Sequence, residues 1–364
     1  MSIRFGIIGC GGAALPVAEA IFTSQMTALK RVYDIDLALA RDLGERYDAD
    51  CATSVDELLA DPMVDAVYIA VPHDRLAPLA RQALAAGKHA LVEKPLALTL
   101  VQADELIALA EQQRLALGVF YELRYATPFI QARELVHTGA IGRIIGVRIQ
   151  TLIDKPTTYW QAGLSGRAAS PWRGQAARAG GGVVLMNTSH QLDAIRAITG
   201  LEVVSVAATI GTLVAAVEVE DLAAATLHYH NGAIGSIFAG AHLPGANASG
   251  ERFDIYGTHG QIMAPDPYGD EALQVFLRRS WGELPANTWQ RLPGSPAPLY
   301  TRAVEAFAHA IQRGEPAPIG GRDARQVLAI VLAIYQAAAE KRTIALEEHD
   351  GWRNEDLPNH LFRL

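Results

Sequence analysis

The sequence predicts two successive domains: an α/β domain built on a doubly wound parallel sheet, and an α+β domain with an antiparallel or mixed sheet. The 364 residues are more than one ordinary core accommodates. Short apolar segments alternate with helical segments over roughly the first 120 residues, which is typical of parallel strands joined by right-handed crossovers. Later strand-like segments follow one another through tight turns, which indicates antiparallel pairing. We therefore expect one domain over residues 1–122 and another over residues 123–364.

In the first domain, each element is predicted from its apolar pattern and from the residues at its ends. Ser54 and Glu57 have the spacing of a capping box, as do Thr99 and Gln102, so each pair predicts a helix start. Gly87 predicts a helix end. The predicted strands cover residues 3–8, 29–34, 65–71, 89–93 and 115–120. The predicted helices cover residues 15–23, a segment that begins at Ser54, residues 76–86, and a segment from Thr99 to about Arg114.

The second domain begins with a helix near residues 127–138 and a strand over residues 142–151. An irregular segment rich in Gly, Ser and Arg follows, over residues 154–182. The remaining predicted strands cover residues 201–218, 220–230, 233–242, 250–257 and 273–279, and the remaining helices cover residues 188–199, 300–313 and 322–341. Tight turns such as "HNGA" at 230–233 favour hairpins between these strands.

The composition argues against several classes of protein. A net charge of −8 is unfavourable for binding nucleic acid through a basic surface. No apolar run reaches the roughly 18 residues of a membrane helix, and "MSIRFGIIGCGG" lacks the features of a signal peptide. Cys10 and Cys51 are too few for a disulfide framework, so we expect a protein of the reducing cytoplasm. No cluster has the spacing of metal ligands, and no Ser or Cys stands in a nucleophile motif.

The segment "GIIGCGGAA" predicts a site for a dinucleotide cofactor. It contains G-x-G-x-x-A, with Gly9 for the tight turn, Gly11 for the approach of the pyrophosphate and Ala14 for close helix–strand packing. The motif follows a strand and opens a helix, whereas an isolated glycine-rich turn often binds no ligand. Asp34 ends the second strand, where an acid binds the ribose hydroxyls of NAD and repels the extra phosphate of NADP. We therefore expect NAD rather than NADP, and a cap on the next turn is the alternative role of Asp34.

The segment "HALVEKP" contains a lysine where a predicted strand ends. Ligands of open α/β sheets bind beyond the carboxyl ends of the strands, where Glu93 and Lys94 stand. Pro95 cannot extend strand pairing and disfavours helical geometry for Lys94, so we expect an extended lysine at the cofactor crevice. The alternative is a surface lysine that pairs with a neighbouring acid.

These segments, together with "DAVYIAVP" and "GGGVVLMNTSHQLDAIRAITG", resemble the glucose–fructose oxidoreductase/inositol dehydrogenase (Gfo/Idh/MocA) family. The resemblance covers nearly the whole chain in order, and the E-K-P motif is its most specific part. It implies a Rossmann domain that binds a nicotinamide cofactor. It also implies a second domain whose large open, mostly antiparallel sheet joins subunits into a homodimer or homotetramer. Members of the family mostly oxidise or reduce one carbon of a sugar or cyclitol.

The resemblance implies catalytic roles for Lys94 and His190. Lys94 matches the motif lysine, which contacts the substrate hydroxyl and the nicotinamide ribose and assists proton transfer. A positively charged nicotinamide lowers a lysine pKa, so Lys94 either relays the proton or stays charged and stabilises an alkoxide. His190 matches the histidine of the substrate domain. Met186 stands where many sugar dehydrogenases of the family have an aspartate, so we expect Lys94 and His190 to carry the acid–base work.

His190 and Asp193 are three residues apart, so they share a helix face, and Asn187 lies three residues before His190, near the helix start. Their alternative roles are a cap, a packed ring and a solvent-facing acid. His73 either reaches the cofactor or faces solvent. The aromatic rings and arginines of residues 157–174 suit a polyhydroxylated or anionic substrate, and packing against the other domain or another subunit is their alternative role.

The expected site residues form two sets. The cofactor-binding set is Gly9, Gly11, Gly12, Ala13, Ala14, Asp34, Val71, Pro72, His73, Glu93 and Lys94. The substrate-binding set is Asn187, Asp193, Arg124, Tyr159, Trp160, Arg167, Trp172 and Arg173.

Three functions agree with these residues. The leading hypothesis is an NAD-dependent oxidoreductase that acts on a sugar, cyclitol or related polyol. The second is an NAD-dependent glycosidase that oxidises a ring carbon transiently, eliminates the glycoside, re-reduces the carbon and releases no net NADH. The third is a non-catalytic sensor of NAD or sugar, against which the intact E-K-P motif and His190 count.

Overall fold

The computed structural model describes residues 2–246, 251–266, 268, 271–294 and 298–349, and these residues form two compact units. The first unit comprises the described residues of Met1–Glu122, Thr158–Gly180 and Pro298–Leu328. The second comprises the described residues of Leu123–Thr157, Gly181–Ala297 and Ala329–Leu364. The chain thus leaves the first unit after Glu122 and returns to it twice.

The elements are numbered in chain order. The strands are β1 (Ile3–Ile8), β2 (Thr27–Tyr33), β3 (Asp50–Cys51), β4 (Ala66–Ile69), β5 (His89–Glu93), β6 (Leu117–Phe120), β7 (Ile144–Leu152), β8 (Val203–Gly211), β9 (Leu222–Tyr229), β10 (Ile234–Gly240), β11 (Glu251–Gly257), β12 (Gly260–Ala264), β13 (Leu273–Leu277), β14 (Trp289–Leu292) and β15 (Ile344–Ala345). The α-helices are α1 (Ala14–Thr23), α2 (Leu37–Tyr47), α3 (Val55–Ala60), α4 (His73–Ala85), α5 (Leu100–Gln113), α6 (Thr127–His137), α7 (Tyr159–Ala162), α8 (Ala176–Ala179), α9 (Ser189–Thr199), α10 (Leu299–Arg313) and α11 (Gly321–Glu340).

The first unit is built on a parallel sheet with the strand order β3-β2-β1-β4-β5-β6. The direction of winding reverses between β1 and β4, so the carboxyl ends of these two strands flank the switch point at which such sheets bind ligands. Every residue of β4 and β6 is buried, as expected of strands that helices cover on both faces. The predicted doubly wound α/β sheet is therefore confirmed.

Both predicted capping boxes of the first unit are confirmed. Ser54 Oγ accepts the N–H of Glu57 at 3.1 Å, and Thr99 Oγ1 accepts the N–H of Gln102 at 3.2 Å. In each box the reciprocal side chain accepts a backbone N–H one residue before the cap. The two helices therefore begin where the sequence predicts, because the caps satisfy amide groups that have no partner inside the helix.

The second unit is built on a nine-stranded sheet with the order β14-β13-β12-β11-β7-β10-β9-β8-β15. β7 and β10 pair in parallel, and the other neighbours pair antiparallel, which confirms a large, mostly antiparallel sheet. Buried and exposed residues alternate along β9 and β10, so the sheet has one covered face and one open face. On the covered face, Phe129 of α6 packs against Phe253 of β11, with ring centroids 4.8 Å apart.

Two segments assigned to the second domain from the sequence lie in the first unit. Residues 158–180 pack on the turn between β1 and α1, and α10 packs on β1, where the rings of Phe307 and Phe5 are 6.3 Å apart. The local apolar pattern of a segment does not say which sheet it covers, so neither return could be predicted from the sequence. No helix within the described part of the chain combines the length and the apolar composition needed to cross a bilayer.

Candidate active site

The turn between β1 and α1 has the geometry of a dinucleotide-binding loop. Gly9 has a φ of +94°, and a Cβ atom there would lie 2.2 Å from the carbonyl oxygen of Ala70, so the turn requires glycine. A Cβ atom at Gly12 would lie 2.3 Å from Ser165 Oγ, whereas one at Gly11 would make an ordinary contact of 3.6 Å with Ala168. The close approach of the segment at 165–168 therefore explains Gly12, a constraint that the motif alone did not indicate.

The N-terminus of α1 faces the end of this turn. Ala13 precedes the helix, and Ala14 is its first, fully buried residue. The first turn carries no acidic residue, and no side chain among the described residues caps it. The N–H of Ala14 donates to the carbonyl oxygen of Gly11 at 3.2 Å, and Pro16 has no N–H, so the positive end of the helix dipole is the feature that suits an anion such as a pyrophosphate.

Asp34 stands at the end of β2, where its carboxylate is held by the backbone. One oxygen accepts the N–H of Cys10 at 2.7 Å, and the other accepts the N–H of Asp36 at 2.8 Å. Asp34 thus caps the turn that follows β2, which is the alternative role considered in the sequence analysis. Each carboxylate oxygen has a second lone pair, so these bonds leave acceptor capacity for ribose hydroxyls.

The residues after β4 bring a buried histidine to the same end of the sheet. The side chain of Val71 lies against Gly9, and Pro72 precedes α4. His73 is 6% exposed, which excludes the alternative that it faces solvent. Its Nδ1 donates to the carbonyl oxygen of Ala179 at 2.7 Å, which leaves Nε2 as an acceptor. Burial, and next the positive charge of Lys94, lower the pKa of His73 to about 3, so the ring is neutral at physiological pH.

Glu93 and Lys94 occupy the carboxyl end of β5, as the sequence predicts. Tyr68 Oη donates to Glu93 Oε1 at 2.5 Å, and the N–H of Lys94 donates to Glu93 Oε2 at 3.2 Å. Burial raises the pKa of Glu93, and the charge of Lys94 opposes this effect. Lys94 is half-buried, and its peptide bond to Pro95 is cis. The lysine therefore lies at the edge of the sheet, close enough to His73 for its charge to add to the effect of burial on the pKa of that ring.

Residues 158–180 add an aromatic and cationic cluster to this edge. The ring of Trp172 lies 4.6 Å from that of His73. The guanidinium of Arg173 stacks over Trp172 at 4.7 Å and over Tyr159 at 5.6 Å. Its Nη1 is buried and has no hydrogen-bond partner among the described residues. A buried donor of this kind suits an oxygen atom of a ligand.

Arg167 and Trp160, both expected to bind substrate, have structural contacts in the first unit. Arg167 Nε donates to the carbonyl oxygen of Cys10 at 2.9 Å, and its Nη2 pairs with Asp42 at 2.6 Å. The ring of Trp160 is 3% exposed and packs edge-on against Tyr159, with centroids 5.3 Å apart. Arg167 therefore holds the segment on the glycine-rich turn, and Trp160 forms the small core of the segment.

In the second unit, a π-helical turn (Val184–Thr188) leads directly into α9. The buried carboxylate of Glu220 anchors its start, because Oε2 accepts the N–H of Gly182 at 2.7 Å and Oε1 accepts that of Val184 at 2.9 Å. Tyr335 Oη also donates to Oε1, at 3.0 Å. A Cβ atom at Gly181 would lie 2.0 Å from Tyr335 Oη, and one at Gly182 would lie 1.8 Å from the carbonyl oxygen of Glu220. The absence of side chains at positions 181 and 182 therefore leaves the space that Glu220 and Tyr335 occupy.

The π-helical turn and α9 carry three residues that the sequence analysis assigns to the substrate side. Asn187 is half-buried, and its Oδ1 accepts a hydrogen bond from Lys155 Nζ at 2.6 Å. His190 is half-buried on the first turn of α9. Asp193, one turn further, is 1% exposed rather than solvent-facing, and Arg124 binds both of its oxygens at 2.7 and 2.6 Å. This bidentate pair ties α9 to the 3₁₀ turn Glu122–Tyr125.

Three buried residues around the π-helical turn were not predicted from the sequence: Lys155, Glu220 and Tyr335. Lys155 had a visible signal, because "DKP" follows β7 as "EKP" follows β5. Glu220 and Tyr335 had none, since their role depends on contacts with a turn that is distant in sequence.

Comparisons with known proteins agree with this geometry. Residues 3–121 match a family model described as an oxidoreductase family with an NAD-binding Rossmann fold, and residues 129–263 match the GFO/IDH/MocA C-terminal domain. A 1,5-anhydro-D-fructose reductase of Ensifer adhaerens is 33% identical over 304 residues, which are 81% of this chain and 84% of that protein. The chain belongs to the Gfo/Idh/MocA family.

Other members of the Gfo/Idh/MocA family match over almost their whole length. A myo-inositol 2-dehydrogenase of Thermotoga maritima is 26% identical over 352 residues, which are 95% of this chain and 99% of that protein. The crystal structure of GenD2 from gentamicin A biosynthesis, in complex with NAD, superposes with a TM-score of 0.78 at 27% identity. That match covers 94% of this chain and 96% of the GenD2 chain. Family membership establishes a Gfo/Idh/MocA oxidoreductase with an NAD-binding Rossmann fold.

Proposed function

We propose that this protein is an NAD-dependent oxidoreductase that transfers a hydride between nicotinamide and a CH–OH carbon of a sugar, cyclitol or related polyol. The observation that carries the proposal is Lys94 at the carboxyl end of β5, in a sheet whose first turn has the dinucleotide form. Support for the substrate class comes from the two relatives, an anhydrofructose reductase and an inositol dehydrogenase. Both names describe enzymes that act on a hydroxyl or carbonyl group of a carbohydrate-like compound.

The residues of the first unit fit a nicotinamide dinucleotide. The uncapped N-terminus of α1 suits the pyrophosphate, and the carboxylate of Asp34 suits the adenosine ribose. The buried Nη1 of Arg173 and the acceptor Nε2 of His73 offer polar contacts near Lys94. When bound, the cofactor accepts or supplies the hydride.

Asp34 supports NAD over NADP. Its two bonds to backbone N–H groups fix a negative charge at the end of β2, and a 2′-phosphate there would be repelled. We expect Asp34→Ala to weaken NAD binding and to relax discrimination against NADP. Titrations of both cofactors with the wild type and the variant test this assignment, and a wild type that prefers NADP would overturn it.

Lys94 and His190 are assigned to the hydroxyl proton. Oxidation of an alcohol releases a proton, which a positioned base must accept. Lys94 accepts it in the neutral form or, in the charged form, stabilises the developing alkoxide. The neutral ring of His73 presents an acceptor and not a second positive charge, so it does not compete with Lys94 for an anionic oxygen. Met186 is apolar, so His190 is the acid–base group of the second unit in this scheme.

The test is a screen of sugars, sugar acids and inositols in which NADH formation and products are both followed. We expect the wild type to form one NADH for each molecule of oxidised product. We expect Lys94→Met to abolish turnover while the variant still binds NAD. Lys30→Met, which removes an exposed lysine from β2, is the matched control. Glycoside cleavage without net NADH would support the glycosidase instead. Turnover that survives Lys94→Met would remove the lysine from the chemistry. Binding of NAD by the wild type without turnover of any compound would favour a sensor.

We also propose a homo-oligomer formed through the open face of the nine-stranded sheet. Ile234 and Phe238 are 55% and 45% exposed on this face, among small residues such as Ala224 and Thr226. Flat surfaces of this composition pack well against a second copy. Light scattering of the wild type is expected to give a dimer or tetramer, and Phe238→Glu is expected to shift it toward monomer. A wild type that is monomeric at all concentrations would contradict this proposal.

A further inference from the structure

Residues 161–170 form a loop of the first unit, which we call the flap. The N–H of Ser170 donates to the carbonyl oxygen of Gln161 at 2.6 Å, and this bond closes the base of the loop. Within the loop, Gly163 and Gly166 have φ angles of +69° and +66°, and a Cβ atom at Gly166 would meet no neighbour within 4 Å. The flap therefore has a fixed base and glycine positions at which its backbone is free to turn.

The tip of the flap contacts the two glycines at which the pyrophosphate of the cofactor is expected. A Cβ atom at Gly12 would lie 2.3 Å from Ser165 Oγ, and one at Gly11 would lie 3.6 Å from the Cβ of Ala168. A phosphate oxygen that binds the N–H groups of this turn must come within about 3 Å of them, so it needs the space beside these side chains. The tip in this position therefore narrows the path by which a dinucleotide reaches and leaves the turn.

The side chain of Arg167 holds the tip on the first unit. Its Nε donates to the carbonyl oxygen of Cys10 at 2.9 Å, and its Nη2 donates to that of Leu39 at 3.4 Å and pairs with Asp42 at 2.6 Å. We refer to these three contacts as the latch. The acceptors are carbonyl and carboxylate oxygens, whereas a pyrophosphate binds N–H groups, so the latch does not compete with a bound cofactor for hydrogen-bond partners.

We propose that the flap controls the exchange of the cofactor, and that Arg167 is the positioning residue that keeps the flap closed both before and after a dinucleotide binds. The inference rests on the proposed function for the identity of the cofactor. It adds that NAD and NADH enter and leave slowly, because the latch must open for each entry and each release. The role of Arg167 is thus exerted through the flap and not through a contact with substrate.

Stopped-flow fluorescence of NADH with the full chain measures both rate constants in the absence of any substrate. Association is obtained from the dependence of the observed rate on NADH concentration, and dissociation from displacement by excess NAD. We expect Arg167→Met to raise both rate constants about tenfold, the effect of one hydrogen bond to a charged group, and to leave the Kd for NADH within about threefold. Both rate constants rise because an open flap speeds entry and release alike.

Two further variants distinguish a latch from a direct ligand of the cofactor. Asp42→Ala removes the ion pair from the side of α2 and should also raise both rate constants. Arg46→Met is the matched control, because Arg46 reaches the same carboxylate at 3.9 Å but lies outside the flap, and both rate constants should stay unchanged. Hydrogen exchange of the flap amides should be faster in Asp42→Ala than in the wild type, and melting temperatures show whether each variant is folded.

The possible results separate this inference from the proposed function. A wild type that binds neither NADH nor NADPH overturns both. If Arg167→Met raises only one of the two rate constants, Arg167 either binds the cofactor directly or closes only the empty site, and the latched flap is refuted. Unchanged rate constants in both Arg167→Met and Asp42→Ala refute it as well. Rate constants that rise together, in a protein that oxidises no compound of the substrate screen, would sustain the flap while the oxidoreductase proposal fails.

Discussion

Glu220 makes the stability of the second unit depend on pH, and substitution by Gln should remove that dependence. Burial raises the pKa of the Glu220 carboxyl to about 7, although it accepts three hydrogen bonds, whereas an ordinary glutamate titrates near 4.5. Between these two values the folded state holds a proton that the unfolded state has released. The free energy of unfolding therefore falls as the pH rises from 4.5 to 7. Over pH 5 to 8 the loss amounts to about 2 to 3 kcal/mol.

The assay is urea denaturation of the wild type and of Glu220→Gln at pH 5 and pH 8, followed by circular dichroism. Gln stays neutral at both pH values. The free energy of unfolding of Glu220→Gln minus that of the wild type should therefore be about 2 to 3 kcal/mol larger at pH 8 than at pH 5. Tyr335→Phe is the control, because it removes one donor and keeps the carboxyl group. Its hydrogen bond lowers the pKa of Glu220, so the pH dependence should persist in this variant. A difference between Gln and wild type that is constant with pH would refute the reasoning.

Three further substitutions test the site residues. Gly9→Ala places a Cβ atom 2.2 Å from a carbonyl oxygen at a φ of +94°, so it should weaken NAD binding at least about tenfold, and equal NAD affinities of this variant and the wild type would contradict the prediction. The control is Gly87→Ala at a position with a positive φ and open space, which should cost only about 1 kcal/mol of stability in urea denaturation. Arg124→Met removes the bidentate ion-pair partner of the buried Asp193 carboxylate and should cost about 3 to 5 kcal/mol of unfolding free energy. An unchanged urea midpoint would show that the pair is dispensable. His190→Ala should lower kcat with little effect on the Kd for NAD, and an unaltered rate in stopped-flow measurements would exclude it from proton transfer.

Much of the fold follows from local pattern. The strand over residues 89–93 is found with its predicted bounds, because the apolar run 90–92 lies between Gly87, which ends the preceding helix, and Pro95, which cannot extend strand pairing. The two capping boxes are present because the bonds of a cap lie within four residues of each other. β12 and β14 were not predicted, because each is a strand of five residues or fewer, with no long apolar run to mark it.

The site could be predicted where its residues follow strands and not where they depend on distant contacts. Gly9 and Lys94 stand at strand ends, so their position follows from the sheet. Arg167 reaches the carbonyl oxygen of Cys10 across 157 positions, and Arg124 reaches Asp193 across 69. Both arginines were predicted to contact substrate. Their contacts with Cys10 and Asp193 were not predicted, because residue type and composition do not reveal which acceptor a guanidinium binds.

The return of the chain to its first sheet affects how that sheet can be completed. Phe307 of α10 covers Phe5 and lies against Gly118, and Tyr300 stacks on Phe120, so one flank of the sheet is covered by residues near 300. A ribosome must therefore synthesise more than four-fifths of the polypeptide before this apolar flank is shielded. Genetic fusion or exchange of the first 122 residues as a module would carry an unfinished core. A cut after residue 122 would therefore separate this sheet from the helix that completes its core.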